Sequence, residues 1–429
     1  MGAETSNHNP GVESSTFSRL GGTVASLSSW GKITPPDESG FTTGSMQSRR
    51  ALAVLFSIVV IDLVGFGIVV PVLPFIIEEF ESSAGMLGLL VASYAAMQFL
   101  FAPLWGRLSD RIGRRSVMLM TTAGSSGALL LAGLAPSMEW LFAARILGGA
   151  FAANISVASA YISDATDETE RTRWMGLLGA SFAVGFTLGP LIGGLLGPLG
   201  YHVPLLVASG MAAVNVVWAA LALQEPSEHV LVAEPEDRAR VLADPRVRKI
   251  SWGNFLFTLA VTQIETVFAF LMMDRFDYGI RGVAMVLFGM AIVMGAVQAG
   301  AIRALVARFG ERSLFWAGAG LMATSFAVIP FAPTVAILLV PLGVSAVGRG
   351  ICQPSMMSMA SSFASPTTRG AVMGTFTSRS SLARALGPVS AGFLFDISTG
   401  LPFWLAAALL VAMLAGSRGF PARVGGDEG

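Results

Sequence analysis

The chain has a single cysteine in 429 residues, and only 13% of its side chains are charged. The lone Cys352 lies in an apolar run, which excludes a disulfide framework or a thiolate metal cluster and implies a buried, reduced thiol. Positive and negative side chains balance at 27 each, so the cationic surplus that a nucleic-acid surface requires is missing. No Walker A loop, H-E-x-x-H or G-x-S-x-G stretch occurs, which argues against an ATP-driven pump or a familiar intramembrane hydrolase. Nothing calls for a cofactor or a metal, and no enzyme activity is expected. What the chain does have is apolar bulk: 53% hydrophobic residues and a mean hydropathy of +0.68. A soluble domain would carry about a quarter charged residues, so this chain is expected in a membrane.

Twelve runs reach the roughly 20 apolar residues that a helix needs to cross a bilayer. They fall near 51–76, 84–104, 116–136, 138–162, 174–198, 203–223, 251–271, 282–305, 314–331, 334–361, 369–395 and 401–417. Residues 1–48, rich in Ser, Thr, Gly and Pro, are expected to form a disordered cytoplasmic tail. Met1-Gly2 with Ser6 also fits an acylation pattern, and Met46 is an alternative start just ahead of Ser48-Arg49-Arg50. The basic pair precedes a run that continues past Pro71 and Pro74 without a small-residue cleavage site, as an uncleaved first helix would. The expected organisation is a six-helix half over 49–223, a cytoplasmic linker over 224–250, a second half over 251–419 and a short tail over 420–429.

Arg107, Arg111, Arg114 and Arg115 crowd the short connection between the second and third runs. An excess of Lys and Arg in short loops marks the cytoplasmic side, and an even number of spans brings both termini to that side. Gly189-Pro190 recurs as Gly387-Pro388 at an offset of 198, and Arg111-Ile112-Gly113 recurs as Arg308-Phe309-Gly310 at 197. Two matches at nearly one spacing indicate a duplication. Six spans per copy keep both copies in the same orientation, with a ligand site expected near the midplane between them.

Asp62 interrupts the first run, and a carboxylate in hydrocarbon costs at least about 2.5 kcal/mol. By the helical rise it sits about 16 Å from the inner end of its helix, and Arg145 of the fourth run lies about 10 Å below the outer surface. In a core about 30 Å thick the two are at similar depth and are expected to pair. Such a pair serves either to load and release a proton or to fix helix packing permanently. Glu265 and Arg384 likewise share one depth, about 21 Å from the inner face. They are expected to pair, either as a fixed bridge or as one that a cationic substrate breaks at Glu265. Tyr94, Gln98, Gln263, Glu265 and Arg384 are the candidate cavity residues. Gly185, Gly189, Gly193 and Gly194, with Pro190 among them, remove side chains from one face of the fifth span and bend it. That smooth face serves either close helix packing or, between the halves, a sliding surface.

The loop residues Gly106, Asp110, Arg111, Gly113, Arg114 and Arg115 resemble the signature between the second and third spans of the major facilitator superfamily of secondary transporters. Over residues 55–200 the chain is similar to the twelve-span drug:proton antiporters, in particular the tetracycline-efflux type. That likeness is carried by Asp62 with Gly65-x-Gly67, by Pro71-x-x-Pro74, by Tyr94 to Gln98, by Arg145-x-Leu147-x-Gly149 and by Gly179-Ala180-Ser181-Phe182. The resemblance implies an all-α membrane protein of twelve transmembrane helices in two parallel six-helix repeats. It also implies proton coupling at Asp62 with Arg145 as partner, and an antiporter-type fifth span at Gly185 to Gly194. A cytoplasmic latch follows as well, in which Asp110 meets the start of the eleventh span after Ser365-Pro366-Thr367. Two departures stand out: Ala307 occupies the aspartate position of the second loop copy, and Ala128 stands where tetracycline pumps carry an acid.

The expected function is proton-coupled secondary transport by alternating access, exporting small amphipathic organic compounds or drugs. The expected partners are a small-molecule substrate, protons and the lipid bilayer of an inner or plasma membrane, with no nucleic acid. A carrier of one specific metabolite or lipid, and a non-transporting membrane receptor, fit the same spans.

Overall fold

The computed structural model describes residues 38–166, 168–225, 235–365 and 368–417; most of the expected N-terminal tail and the C-terminal tail lie outside them. By contacts the chain divides into Met1–Gln47 and Ser48–Gly429, and the second unit carries the features below. Among the described residues there is no strand.

Proline and glycine punctuate the helices where the backbone demands them. Helix α1 (Glu38–Val69) gives way to a turn at Pro71 and resumes as α2 (Leu73–Glu79), with Pro74 in its first turn, where no N–H is needed. Helix α3 (Ala84–Ile112) starts at Ser83, whose hydroxyl accepts the Met86 N–H at 3.3 Å. A single residue, Gly113 at φ +97°, turns α3 into α4 (Arg114–Gly133). In the second half Gly310, at φ +76°, turns α12 (Ile302–Phe309) into α13 (Glu311–Val328). Glycine takes this backbone without strain, and the two sites lie 197 residues apart, the offset of the loop repeat.

The fourth span is broken into α5 (Met138–Phe151) and α6 (Asn154–Ala165). Helices α7 (Glu168–Leu196) and α8 (His202–Ala222) complete the first half, and the short α9 (Pro235–Ala243) leads to α10 (Pro245–Phe276). Asp244 caps α10 by accepting the Arg246 N–H at 2.7 Å, and its hydrogen bonding with the Arg246 side chain holds its carboxyl below the usual range. Helix α11 (Ile280–Ala296) runs through a wide turn into α12, and α14 (Val335–Ser362), α15 (Arg369–Ile397) and α16 (Leu401–Gly416) follow.

Among the described residues ten stretches are long and apolar enough to cross a membrane, and α16 is a shorter apolar helix. Arg379, Arg384 and a run of serines make α15 more polar, although its 29 residues exceed a membrane's thickness. These twelve elements are the expected spans. In the first half α4 packs on α8 and α5, and α3 on α5; in the second, α10 packs on α15 and α16, and α13 on α14 and α16.

The halves meet along α3 against α15 and α7 against α11, and one end of this seam is tight. A Cβ on Gly88 would lie 3.0 Å from the Pro388 carbonyl carbon, and one on Gly392 would lie 2.8 Å from that of Ala84. At this end the Asp396 carboxylate accepts the N–H groups of Ala84 at 3.1 Å and Gly85 at 2.9 Å. Its negative charge therefore sits at the positive end of α3. Toward the end bearing the Gly106–Arg115 loop, a Cβ on Gly106, Gly176, Gly295 or Gly300 would meet nothing within 4 Å. The Gly88, Gly392 and Asp396 contacts close the seam at the Asp396 end.

Candidate functional site

Between the spans lies a cavity of about 960 Å³, counted out to its open mouth. Asp62, Tyr94, Gln98 and Arg145 all line it. Among its lining residues Arg384 alone comes from the second half. Phe66, Phe182 and Phe186 supply aromatic wall, and the Phe66 ring lies 5.8 Å from Tyr94 and 6.1 Å from Phe186.

The expected Asp62–Arg145 ion pair is not formed. Arg145, 7% exposed, stacks over the Tyr94 ring with its guanidinium carbon 4.3 Å from the centroid. Its Nε is buried without a partner. Asp62 makes no ion pair among the described residues and instead neighbours Asn154. The Asn154 Oδ1 accepts the Thr121 hydroxyl, which turns its amide nitrogen, free of any close hydrogen bond, toward the carboxylate side. Similar depth was the basis of the expected pair, but depth leaves the azimuth of each side chain open, and Arg145 turns onto an aromatic face.

Asn154 sits directly after the break in the fourth span, and α3 satisfies the carbonyls freed there. Gln98 Nε2 donates to the Ala152 oxygen at 3.0 Å, and the Trp105 indole donates to that of Ala150 at 2.6 Å. Gln98 thus holds the break as well as lining the cavity.

The second expected pair is also redrawn. Glu265 binds Arg349 of α14 at 2.7 Å, and Arg384 makes no ion pair or hydrogen bond among the described residues. Gln263 is wholly buried rather than in the cavity; it donates to the Gly387 carbonyl at 3.1 Å and to Ser390 at 2.6 Å, tying α10 to α15.

At the loop, Arg114 binds Asp110 at 2.5 Å, Ser109 at 2.6 Å and Asp164 of α6 at 2.7 Å. Glu225 caps α4 by accepting the N–H groups of Arg114 and of Arg115, the latter at 3.0 Å. The Arg115 side chain reaches the Ala220 carbonyl of α8 at 2.6 Å. Asp110 is 60% exposed, and the N–H of Thr368 at the start of α15 bonds to Ser365. The expected latch is disengaged in this state. Asp164, Glu225, Asn154 and Asp396 were missed as site residues; each is a polar residue inside or flanking an apolar run, the signal that drew attention to Asp62.

The glycine face of α7 serves helix packing. A Cβ on Gly185 would come 2.7 Å from the Leu63 carbonyl carbon, one on Gly189 2.8 Å from the Ile68 nitrogen and one on Gly193 2.6 Å from the Ile68 oxygen. These glycines bring α7 onto α1 within one half, and Pro190 lies in that stretch. Gly194, with Gly197 beyond it, faces α11 across the seam, against Ala284 and Ile280.

A duplicated helical bundle that is closed at one end, with a polar cavity between its halves, is the architecture of a secondary transporter. The chain matches the Major Facilitator Superfamily model over residues 55–388 and again over 301–424, and it belongs to that superfamily. It is an integral membrane transporter, not an enzyme. It is 32% identical over 394 residues to tetracycline resistance protein class C of Escherichia coli, covering 87% of this chain and 98% of that protein. Over 375 residues it is 28% identical to multidrug resistance protein 1 of Bacillus subtilis, covering 85% and 94% of the two chains. The human organic anion transporter MFSD10 has the same fold, with a TM-score of 0.66 at 23% identity over 86% of this chain and 99% of that one. So does a bacterial homolog of the human lysosomal transporter Spinster, in an inward-facing and occupied conformation, with a TM-score of 0.73 at 16% identity over 86% and 96%.

Proposed function

We propose that this chain exports small amphipathic organic compounds in exchange for protons, with Asp62 as the proton-carrying group. The observation that carries this reading is an acid on the central cavity with no counter-ion, beside the neutral Asn154. A carboxylate so placed changes charge without breaking an ion pair, and intramembrane acids of this kind mark proton pathways. Arg145, held on Tyr94 nearby, is the cation available to Asp62 in the other state of the cycle.

The aromatic walls suit amphipathic solutes, and relatives named for tetracycline and multidrug resistance support export of such compounds. Ala128 lines the cavity where tetracycline pumps carry an acid, which argues for a substrate other than tetracycline. From the arginines of the Gly106–Arg115 loop, we put that loop and both termini in the cytoplasm, in an inner or plasma membrane. The present state is then open to the cytoplasm.

The test is extrusion by the purified chain in proteoliposomes under an imposed pH gradient, with a panel of amphipathic dyes. Asp62→Asn is expected to abolish uphill extrusion and substrate-driven proton movement while exchange of dye across the membrane continues. Wild-type uphill extrusion by this variant would remove Asp62 from coupling.

A further inference from the structure

Two cations meet one acid in the cavity. Asp62, Arg145 and Arg384 are its only ionisable acid and base lining groups, and neither arginine has a carboxylate partner among the described residues. An unpaired guanidinium away from water, as at Arg145, is costly unless an anion or hydrogen-bond acceptors meet it, whereas Arg384 is exposed. Arg145 is nine-tenths buried with an unsatisfied Nε. Arg384 is denied the nearby acid, because Glu265 is held by Arg349 in a pair that is neutral overall. Arg145 lies over the Tyr94 ring, and Arg384 lines the same cavity from the other half. Phe66 and Phe186 extend that ring into a wall.

We propose that the cavity recognises an aromatic organic anion, an aryl carboxylate or sulfonate, whose charged group sits between Arg145 and Arg384 and whose ring lies on the Tyr94 and Phe66 wall. Guanidinium groups offer planar, multiple donors that match carboxylate and sulfonate oxygens. A cationic solute would meet two positive charges with only Asp62 to offset them. Because the arginines belong to different halves, one bound anion bridges the halves and senses their relative position. This assignment rests on the proposed reading of the cavity as the substrate site.

The test uses the full chain in nanodiscs and a matched series: 2-naphthoate, 2-naphthamide and 2-naphthylmethylammonium. Charge-assisted hydrogen bonds are worth roughly 1.5–3 kcal/mol, or about tenfold to a hundredfold in affinity. Naphthoate should therefore bind at least about tenfold tighter than the amide. Arg384→Gln and Arg145→Gln should each remove that preference, with thermal unfolding of each variant in detergent as the folding control. Arg384→Lys, which keeps the charge, should retain part of the preference. Equal binding of naphthoate and amide to the wild type, or tightest binding of the ammonium, would overturn the anion site. Uphill export of neutral or cationic dyes together with no naphthoate preference would sink the site and leave the transport reading standing. Naphthoate preference without any proton-coupled flux would do the reverse.

Discussion

Asp62, Tyr94, Gln98 and Arg145 of the first half look into open space, whereas in the second half Phe257, Val261, Ile264 and Phe268 of α10 are buried in packed core. The seventh span has 78% of its apolar window buried, against 50% for the first, its counterpart in the duplication. The 198-residue offset sets Ala260, fully buried, opposite Asp62, and Arg384 opposite Phe186. Each proline of the repeated Gly-Pro pair lies four residues after the latter two, so Phe186 and Arg384 are the residues whose carbonyls those prolines release. The duplicated skeleton thus persists while the ionisable groups have diverged, the acid remaining in one copy and a cation appearing in the other.

The comparison is broken most strongly at Asp62. If the acid of one half alone drives coupling, Asp62→Asn eliminates uphill transport, and a new acid at the counterpart, Ala260→Asp, does not restore it in the double variant. Restored proton-driven extrusion would show the halves to be interchangeable. Next in size is the pair of Gly-Pro glycines. Gly189 packs only on backbone atoms of α1, which cannot yield, while Gly387 packs on the Thr262 side chain, whose hydroxyl can shift although its Cβ, 2.8 Å away, cannot. Gly189→Ala should cost about 3 kcal/mol and Gly387→Ala about 1 kcal/mol of stability, the two ends of the usual overpacking range. Thermal unfolding in detergent compares them, and equal losses would mean that both contacts are equally rigid.

A smaller effect is expected at the closed seam. Asp396→Ala removes a carboxylate that accepts two N–H groups of the other half, worth about 1.5 kcal/mol, or roughly a tenfold shift of population toward opening at that end. Spin labels on cysteines placed at the exposed Leu199 and Ile397 would read this as a longer distance distribution. The native Cys352 is buried and should not compete for label. An unchanged distribution would reduce Asp396 to a local helix cap. Least affected is the loop: Asp110 is 60% exposed and Arg114 keeps Asp164 and Ser109 without it, so Asp110→Ala should leave thermal stability nearly unchanged in the present state. A large loss would show the loop to be a structural keystone of the first half.

The spans, the duplication and the cavity residues of the first half were legible because an apolar run makes every polar interruption conspicuous. Asp62 and Arg145 were found that way, Tyr94 and Gln98 through the family resemblance, and all four share one cavity. The partners were not legible. Residue spacing gives height along a helix, but a contact also needs rotation about it and the identity of the neighbouring helix. Glu265 and Arg384 agree in height, yet Arg349 reaches the carboxylate. The glycine stripe of α7 showed where a neighbour approaches closely but not that it is α1 for three of the four glycines. The Asp396 contact with α3 depends on which end of the seam is closed, and that is a property of a state rather than of a pattern.

Arg114 and its neighbours give the first half a mechanical character. One guanidinium joins the ends of α3 and α6, while Glu225 and the Arg115 contact with Ala220 bring the end of α8 to the start of α4. Four spans are thereby riveted into a single plate at the loop end, and their strokes are shared. From Ala84 at the Asp396 contact to Gly106 is 22 residues, an arm of about 33 Å. A tilt of about 10° around that fulcrum would sweep the plate by about 6 Å over such an arm. A modest slackening at one end is geared up into an aperture at the other, without any of the four helices having to bend.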